Sequence, residues 1–159
     1  MKKYELTAEF IEKWGKKLFR IKALISFGSV EAGELGGYVE KEDNLAQIGD
    51  AWVYGNARVY GNARVSGDAE VYGNADYLLI GRIGSRFDFT TFFKNKEKGI
   101  TVSCGCFLGT IAEFRAKVKS THGDNKHAKM YNMAADMAEL QILGEEHFDK
   151  LNTNKSEPF

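Results

Sequence analysis

Val53-Tyr54-Gly55-Asn56-Ala57-Arg58, Val59-Tyr60-Gly61-Asn62-Ala63-Arg64, Val65-Ser66-Gly67-Asp68-Ala69-Glu70 and Val71-Tyr72-Gly73-Asn74-Ala75-Asp76 follow one another without a gap. Gln47-Ile48-Gly49-Asp50-Ala51-Trp52 precedes them in the same register. A short fixed period is the signature of a solenoid, and a period of six predicts a parallel β-helix. Each full unit carries Val first and Ala fifth, sizes that suit a narrow interior. Gly-Asn or Gly-Asp supplies the third and fourth positions, the pair that best tolerates φ > 0 at a corner. Between corners, Ala-Arg-Val-Tyr reads as a short strand whose Arg and Tyr point away from the inward Val.

The units resemble the hexapeptide repeat of left-handed β-helices, in which three units make one coil of roughly 18 residues. That resemblance implies a stacking order, with Val53 on Val71, Tyr54 on Tyr72, Asn56 on Asn74 and Trp52 on Glu70. Arg58 falls over Asp76 as an ion pair between coils. Five units amount to fewer than two coils, so bare strand edges must be covered by the flanking segments or by a second copy of the chain. Oligomerisation is expected on that ground.

Residues 1–46 form a lead-in and cap. Thr7 is placed to cap a helix through Glu9–Trp14 that Gly15 ends, and Leu18–Leu24 reads as a strand. Residues 47–76 are the repeat segment. From Tyr77 the period breaks, and residues 77–159 read as a β-β-β-α-α module of α+β type. Its strands are Tyr77–Ile83, Phe87–Phe93 and Ile100–Cys106. Thr110-Ile111-Ala112-Glu113 is a capping box for a helix with Ile111, Phe114 and Val118 on one face, stopped by Gly123. Asp124 is placed to cap a second helix with the apolar stripe Met130, Met133, Ala134, Met137 and Leu140, and the tail Asn152–Glu157 reads as frayed. The expected fold class is mixed β/α: a short left-handed parallel β-helix between the lead-in and this module.

Lys and Arg total 22 against 22 Asp and Glu, so no general attraction to nucleic acid or anionic membrane is implied. No apolar run approaches the roughly 20 residues that span a bilayer. Met1-Lys2-Lys3-Tyr4-Glu5 lacks the apolar stretch that export requires, and two cysteines spaced C-x-C suit a reducing compartment. A cytoplasmic protein is expected.

Four constellations bear chemistry. Cys104-Gly105-Cys106 reads as two thiols in an apolar strand face, since a metal site needs further ligands. Thr121-His122-Gly123-Asp124 puts His122 at a helix end. Gly81-Arg82-Ile83-Gly84-Ser85-Arg86 offers two guanidinium groups, a hydroxyl and flexible amides that suit an anion, with Thr90 and Ser103 as neighbours. The candidate ligand-binding set is therefore Arg82, Ser85, Arg86, Thr90, Ser103 and His122. Outward Trp52, Tyr54, Arg58, Tyr60, Arg64 and Tyr72 form an interface set, because aromatic rings interleaved with arginine hold protein partners or nucleobases. No catalytic residue, metal ligand or cofactor is indicated.

Arg20–Leu24, Leu35–Leu45, the hexads, Val102–Phe107 and Thr121–Asn125 together resemble small bacteriophage and prophage proteins with V-x-G-[ND]-A-x repeats. The resemblance covers nearly the whole chain and carries no established activity. The Arg and Tyr content near the expected interfaces, with no catalytic set, points to a non-catalytic, oligomeric binding protein that encloses a small anionic ligand, and a phage origin makes one version of it attractive. That version is a sponge that sequesters a nucleotide-derived immune signal in the host cytoplasm. The alternatives are a structural or adaptor protein that binds another protein, and a hexapeptide-type acyltransferase. The last requires a histidine beside a donor pocket, and the hexads contain none.

Overall fold

The computed structural model describes residues 1–155. The chain opens with strands β1 (Tyr4–Lys13) and β2 (Lys16–Ala23), followed by β3 (Leu35–Val39). The hexads contribute β4 (Trp52–Val53), β5 (Arg58–Val59) and β6 (Glu70–Val71). Then come β7 (Tyr77–Ile83), β8 (Asp88–Lys94), β9 (Ile100–Cys104) and β10 (Phe107–Thr110), and the helices α1 (Ile111–His122), α2 (Lys126–Ala138) and α3 (Glu145–Lys155). One sheet has the order β1-β2-β3-β5, a second β10-β9-β8-β7, and β4 pairs with β6 alone.

This architecture corrects the left-handed parallel β-helix expected over residues 47–76. Among the described residues the sheets are mostly antiparallel or mixed, three α-helices follow them, and no solenoid is formed. The physical reason is length. The hexads yield only two-residue strands, too few for successive coils, and neighbouring segments take up their hydrogen bonds. Val39 pairs in parallel with Val59, and Val53 with Val71. Leu45 bridges Val65 in the same sense.

The inward valines Val53, Val59, Val65 and Val71 and the alanines Ala51, Ala57, Ala63 and Ala69 are all buried. Tyr54 stacks on Tyr72 with ring centroids 4.2 Å apart. Gly49, Gly55, Gly61 and Gly67 turn corners at positive φ, whereas Gly73 is extended at φ −147 and opens a tight turn over Asn74–Asp76. There the period ends. The expected Arg58–Asp76 pair is not made: Asp76 accepts from the Tyr72 and Gly73 amides at 2.9 and 3.0 Å and faces Lys94. Trp52, expected outward, is 1 % exposed, set edge-on against Tyr4 and Phe27.

The chain's own flanks cover the hexad edges. Tyr4, Ile21, Ala23, Val30 and Phe93 share one hydrophobic cluster with the hexad valines, so no second copy is needed to seal that interior. The Tyr4 hydroxyl donates to the Leu45 carbonyl at 2.6 Å. Asn44, fully buried, donates to the Gly61 and Ala63 carbonyls and accepts from the Glu40 and Lys41 amides.

Residues Glu9–Trp14 form no helix. Trp14 and Gly15 have φ of 53 and 75 between the paired Lys13 and Lys16, the signature of a two-residue type I′ hairpin. Thr7, read as a cap, donates instead across the hairpin to the Arg20 carbonyl at 2.8 Å. In the C-terminal part, Thr110 and Glu113 close the expected capping box, but Asn125, not Asp124, caps α2. The buried face of α2 is Ala128, Ala134, Ala135 and Ala138; Met130, Met133, Met137 and Leu140 face outward. β10 and α3 are additions to the expected module. Helix α3 runs to Lys155, and the remainder of the tail for which fraying was expected lies outside the described residues.

Two predictions follow from this packing. A Cβ on Gly36 would meet the Val53 carbonyl at 2.6 Å, and one on Gly37 the Ala57 carbonyl at 2.5 Å, whereas one on Gly73 meets nothing. Gly36→Ala and Gly37→Ala each lose about 1–3 kcal/mol in urea denaturation, and Gly73→Ala changes little. Lys3 is 2 % exposed and donates to the Gly49 and Ala51 carbonyls. Burial pulls its ammonium down from 10.5 to about 8, with the Asp50 carboxylate opposing. The unfolded chain therefore binds more protons than the folded one between those values, and stability rises with pH across that window, by on the order of 2 kcal/mol at pH 10. Lys3→Met flattens this rise in denaturation measured at pH 7 and pH 10.

Candidate functional site

The β7–β8 loop, the β9–β10 turn and helix α1 converge because β7, β8, β9 and β10 are consecutive antiparallel neighbours and α1 leaves β10 directly. Ser85, Arg86 and Asp88 come from the first loop, Cys104 and Phe107 from the second. Phe114, Lys117, Thr121 and His122 come from α1, and Tyr131 from α2. Between them lies a groove of about 260 Å³.

Its floor is aromatic. Phe114 packs against Phe107 and edge-on against Tyr131, at centroid distances of 5.8 and 5.6 Å. His122 lies 5.9 Å from Tyr131 at an interplanar angle of 27°. α1 is held against α2 by Arg115, whose guanidinium donates to Asn132, Asp136 and Glu139 at 3.0, 2.7 and 2.7 Å. That clamp fixes the helical wall. Gly84, at φ 82, leaves room for the Tyr131 hydroxyl, which sits where a side chain at position 84 would begin.

Above this floor the groove is polar. Among the described residues, Arg86 and Lys117 make no ion pair with protein carboxylates. Asp88 stands among them as an acceptor, one of its oxygens taking the Phe89 amide at 2.7 Å. Burial first, then the adjoining Cys104 thiol, push the Tyr131 phenol above its ordinary range, so at neutral pH it remains protonated and able to donate. Thr90 is fully buried and donates to the Cys104 sulfur at 3.2 Å.

The groove unites Ser85, Arg86 and His122 from the candidate ligand-binding set. Ser103 lines a neighbouring hollow of about 130 Å³ with Arg64, Asn62 and Thr91. Thr90 lies beneath the groove floor, and Arg82 is exposed on β7 outside the groove lining. Cys104 is half-buried but Cys106 is exposed, because β9 ends at Cys104 and Cys106 falls in the turn; the expectation of two thiols on one strand face is corrected. Among the described residues no cluster of three or more His, Cys, Asp or Glu is placed to hold a metal ion. Among the described residues, no helix is long and apolar enough to cross a membrane.

Of the interface set, Arg64 and Tyr72 are exposed, Tyr54, Arg58 and Tyr60 half-buried, and Trp52 is core. The residues not foreseen are Lys117, Asp88, Phe107 and Tyr131. Lys117 was within reach of sequence reasoning: with Phe114 and Val118 turned to the core, helical spacing puts 117 and 121 on the adjoining shoulder. Tyr131 reaches the groove only because α2 folds back on α1.

No protein-family model matches this chain, and no curated protein matches it.

Gly84→Ala displaces the Tyr131 ring from the groove and strains a left-handed backbone position. The expected result is a loss of about 1–3 kcal/mol in stability, with a changed near-ultraviolet tyrosine signal.

Proposed function

We propose that this protein is a non-catalytic binder of a small anionic ligand carrying a planar ring, held in the groove between α1 and the β7–β8 and β9–β10 turns. The observation that carries this reading is the pairing state of its cations. Elsewhere, Arg20 is taken up by Glu9, Gly36 and Tyr38, and Arg115 by three acceptors. Among the described residues Arg86 and Lys117 have no such partners, and both border one aromatic floor.

Guanidinium and ammonium groups favour phosphate oxygens. Phe107, Phe114 and Tyr131 suit the face or edge of a nucleobase, and Asp88 can accept from a sugar hydroxyl. A nucleotide combines all three demands. The resemblance to phage hexad proteins supports a nucleotide-derived immune signal as that ligand, which the protein would sequester in the host cell.

Calorimetry with nucleoside monophosphates, cyclic di- and trinucleotides and ADP-ribose tests this reading. At least one binds, and Arg86→Ala and Lys117→Ala each weaken it about tenfold or more, the worth of one charge-assisted hydrogen bond. Absence of binding across the panel, or affinity indifferent to both substitutions, overturns it.

A further inference from the structure

A second cavity, of about 330 Å³, lies away from that groove, between the β1–β2 turn, the hexads and the start of β7. Trp14, at the tip of the turn, is 68 % exposed and leans over Tyr60 with ring centroids 5.2 Å apart and planes inclined by 35°. Leu78 and Leu79 on β7 contribute apolar wall. Tyr77 and Asn74 also line the cavity and hold the Arg58 backbone. The Tyr77 hydroxyl donates to the Arg58 carbonyl at 2.7 Å, and the Arg58 amide donates to Asn74 Oδ1 at 2.8 Å.

The decisive atom is Arg58 Nε. It is buried and, among the described residues, has no hydrogen-bond partner. Among the described residues no carboxylate pairs with this guanidinium, since Asp76, the acid expected above it, is engaged by amides and faces Lys94. Buried polar atoms in native proteins are nearly always hydrogen-bonded. Arg58 lines the cavity, and a guanidinium that no protein carboxylate neutralises can take an acceptor there. Its two terminal nitrogens form a fork that matches two oxygens of a carboxylate or phosphate. Trp14 and Tyr60 supply flat faces beside it.

We infer that the cavity framed by Trp14, Tyr60 and Arg58 is a binding site for a small planar ring bearing one oxyanion, with Arg58 gripping the anion and Trp14 stacking on the ring. One cation lines the site, which selects a single anionic group rather than the polyphosphates suited to Arg86 and Lys117. The volume sits at the small end of the roughly 300–1,000 Å³ usual for ligand pockets, which suits a single ring. The inference is independent of the groove reading.

The two tryptophans make the test direct, since Trp52 is core and Trp14 stands at the cavity mouth. Benzoate and phenyl phosphate are titrated while tryptophan emission is followed, with calorimetry in parallel. Saturable quenching by at least one probe is expected, and the stronger of the two identifies carboxylate or phosphate. Arg58→Lys, which keeps the charge but loses the fork, weakens binding about tenfold. Trp14→Phe abolishes the quenching and weakens the calorimetric affinity, and it lies in an exposed turn that tolerates the change. Arg86→Ala leaves both signals intact, which separates this site from the groove. No saturable response to either probe up to about 10 mM, or equal affinity in wild type, Arg58→Lys and Trp14→Phe, overturns the inference.

Discussion

Strand β3 has both edges occupied by different kinds of partner: β2 pairs with it antiparallel, β5 parallel. Few residues permit this arrangement. Gly36 and Gly37 bring the backbone so near the Val53 and Ala57 carbonyls that a methyl group is already too large. The hexads then have a wall to lie against, and their small valines and alanines fill the space that remains. Arg20 locks the same junction, bonding to the Gly36 carbonyl and to Asn56 while stacking over the Tyr38 ring. Without β3 the strand β5 would have no edge to pair with, and the β4–β6 pair would lose the wall that Gly36 and Gly37 bring against it.

The second half is organised around charge that is used and charge that is not. Arg20 and Arg115 are each engaged by several acceptors where structure demands it. Arg86 and Lys117 stand apart, on elements held by strand pairing and by the α1–α2 clamp rather than by the cations themselves. That separation lets the groove change its electrostatic partner without moving its walls. The aromatic floor beneath is likewise built from residues with structural neighbours on one side and open space on the other.

The hexad pattern made the inward facing of its valines and alanines legible, because a period-two strand leaves little choice about which side chain faces in, but it misplaced Trp52. It did not make the architecture legible: the number of units, not their pattern, decides whether coils accumulate, and here too few are present. Trp14-Gly15 shows a second limit. A glycine after an apolar stretch ends a helix or turns a hairpin with equal local propriety, and only the long pairing of β1 with β2 chooses between them. On α2 the large methionines invited an inward reading, yet close approach to α1 favours alanine. Ser85, Arg86 and His122 were recoverable by chemistry alone, whereas Trp14, Arg58 and Tyr60 meet through a turn and a strand that no local signal connects.

Phe92 and Phe93 are adjacent on β8 and both fully buried, but they point into different interiors, Phe92 toward the helices and Phe93 toward the hexads. Neighbouring residues on a strand must face opposite ways, so a single ribbon serves as keystone for both halves of the molecule. Neither half has a private boundary along which it could come apart. A single melting transition is expected for the described residues, with a lesion in one interior felt as loosening in the other.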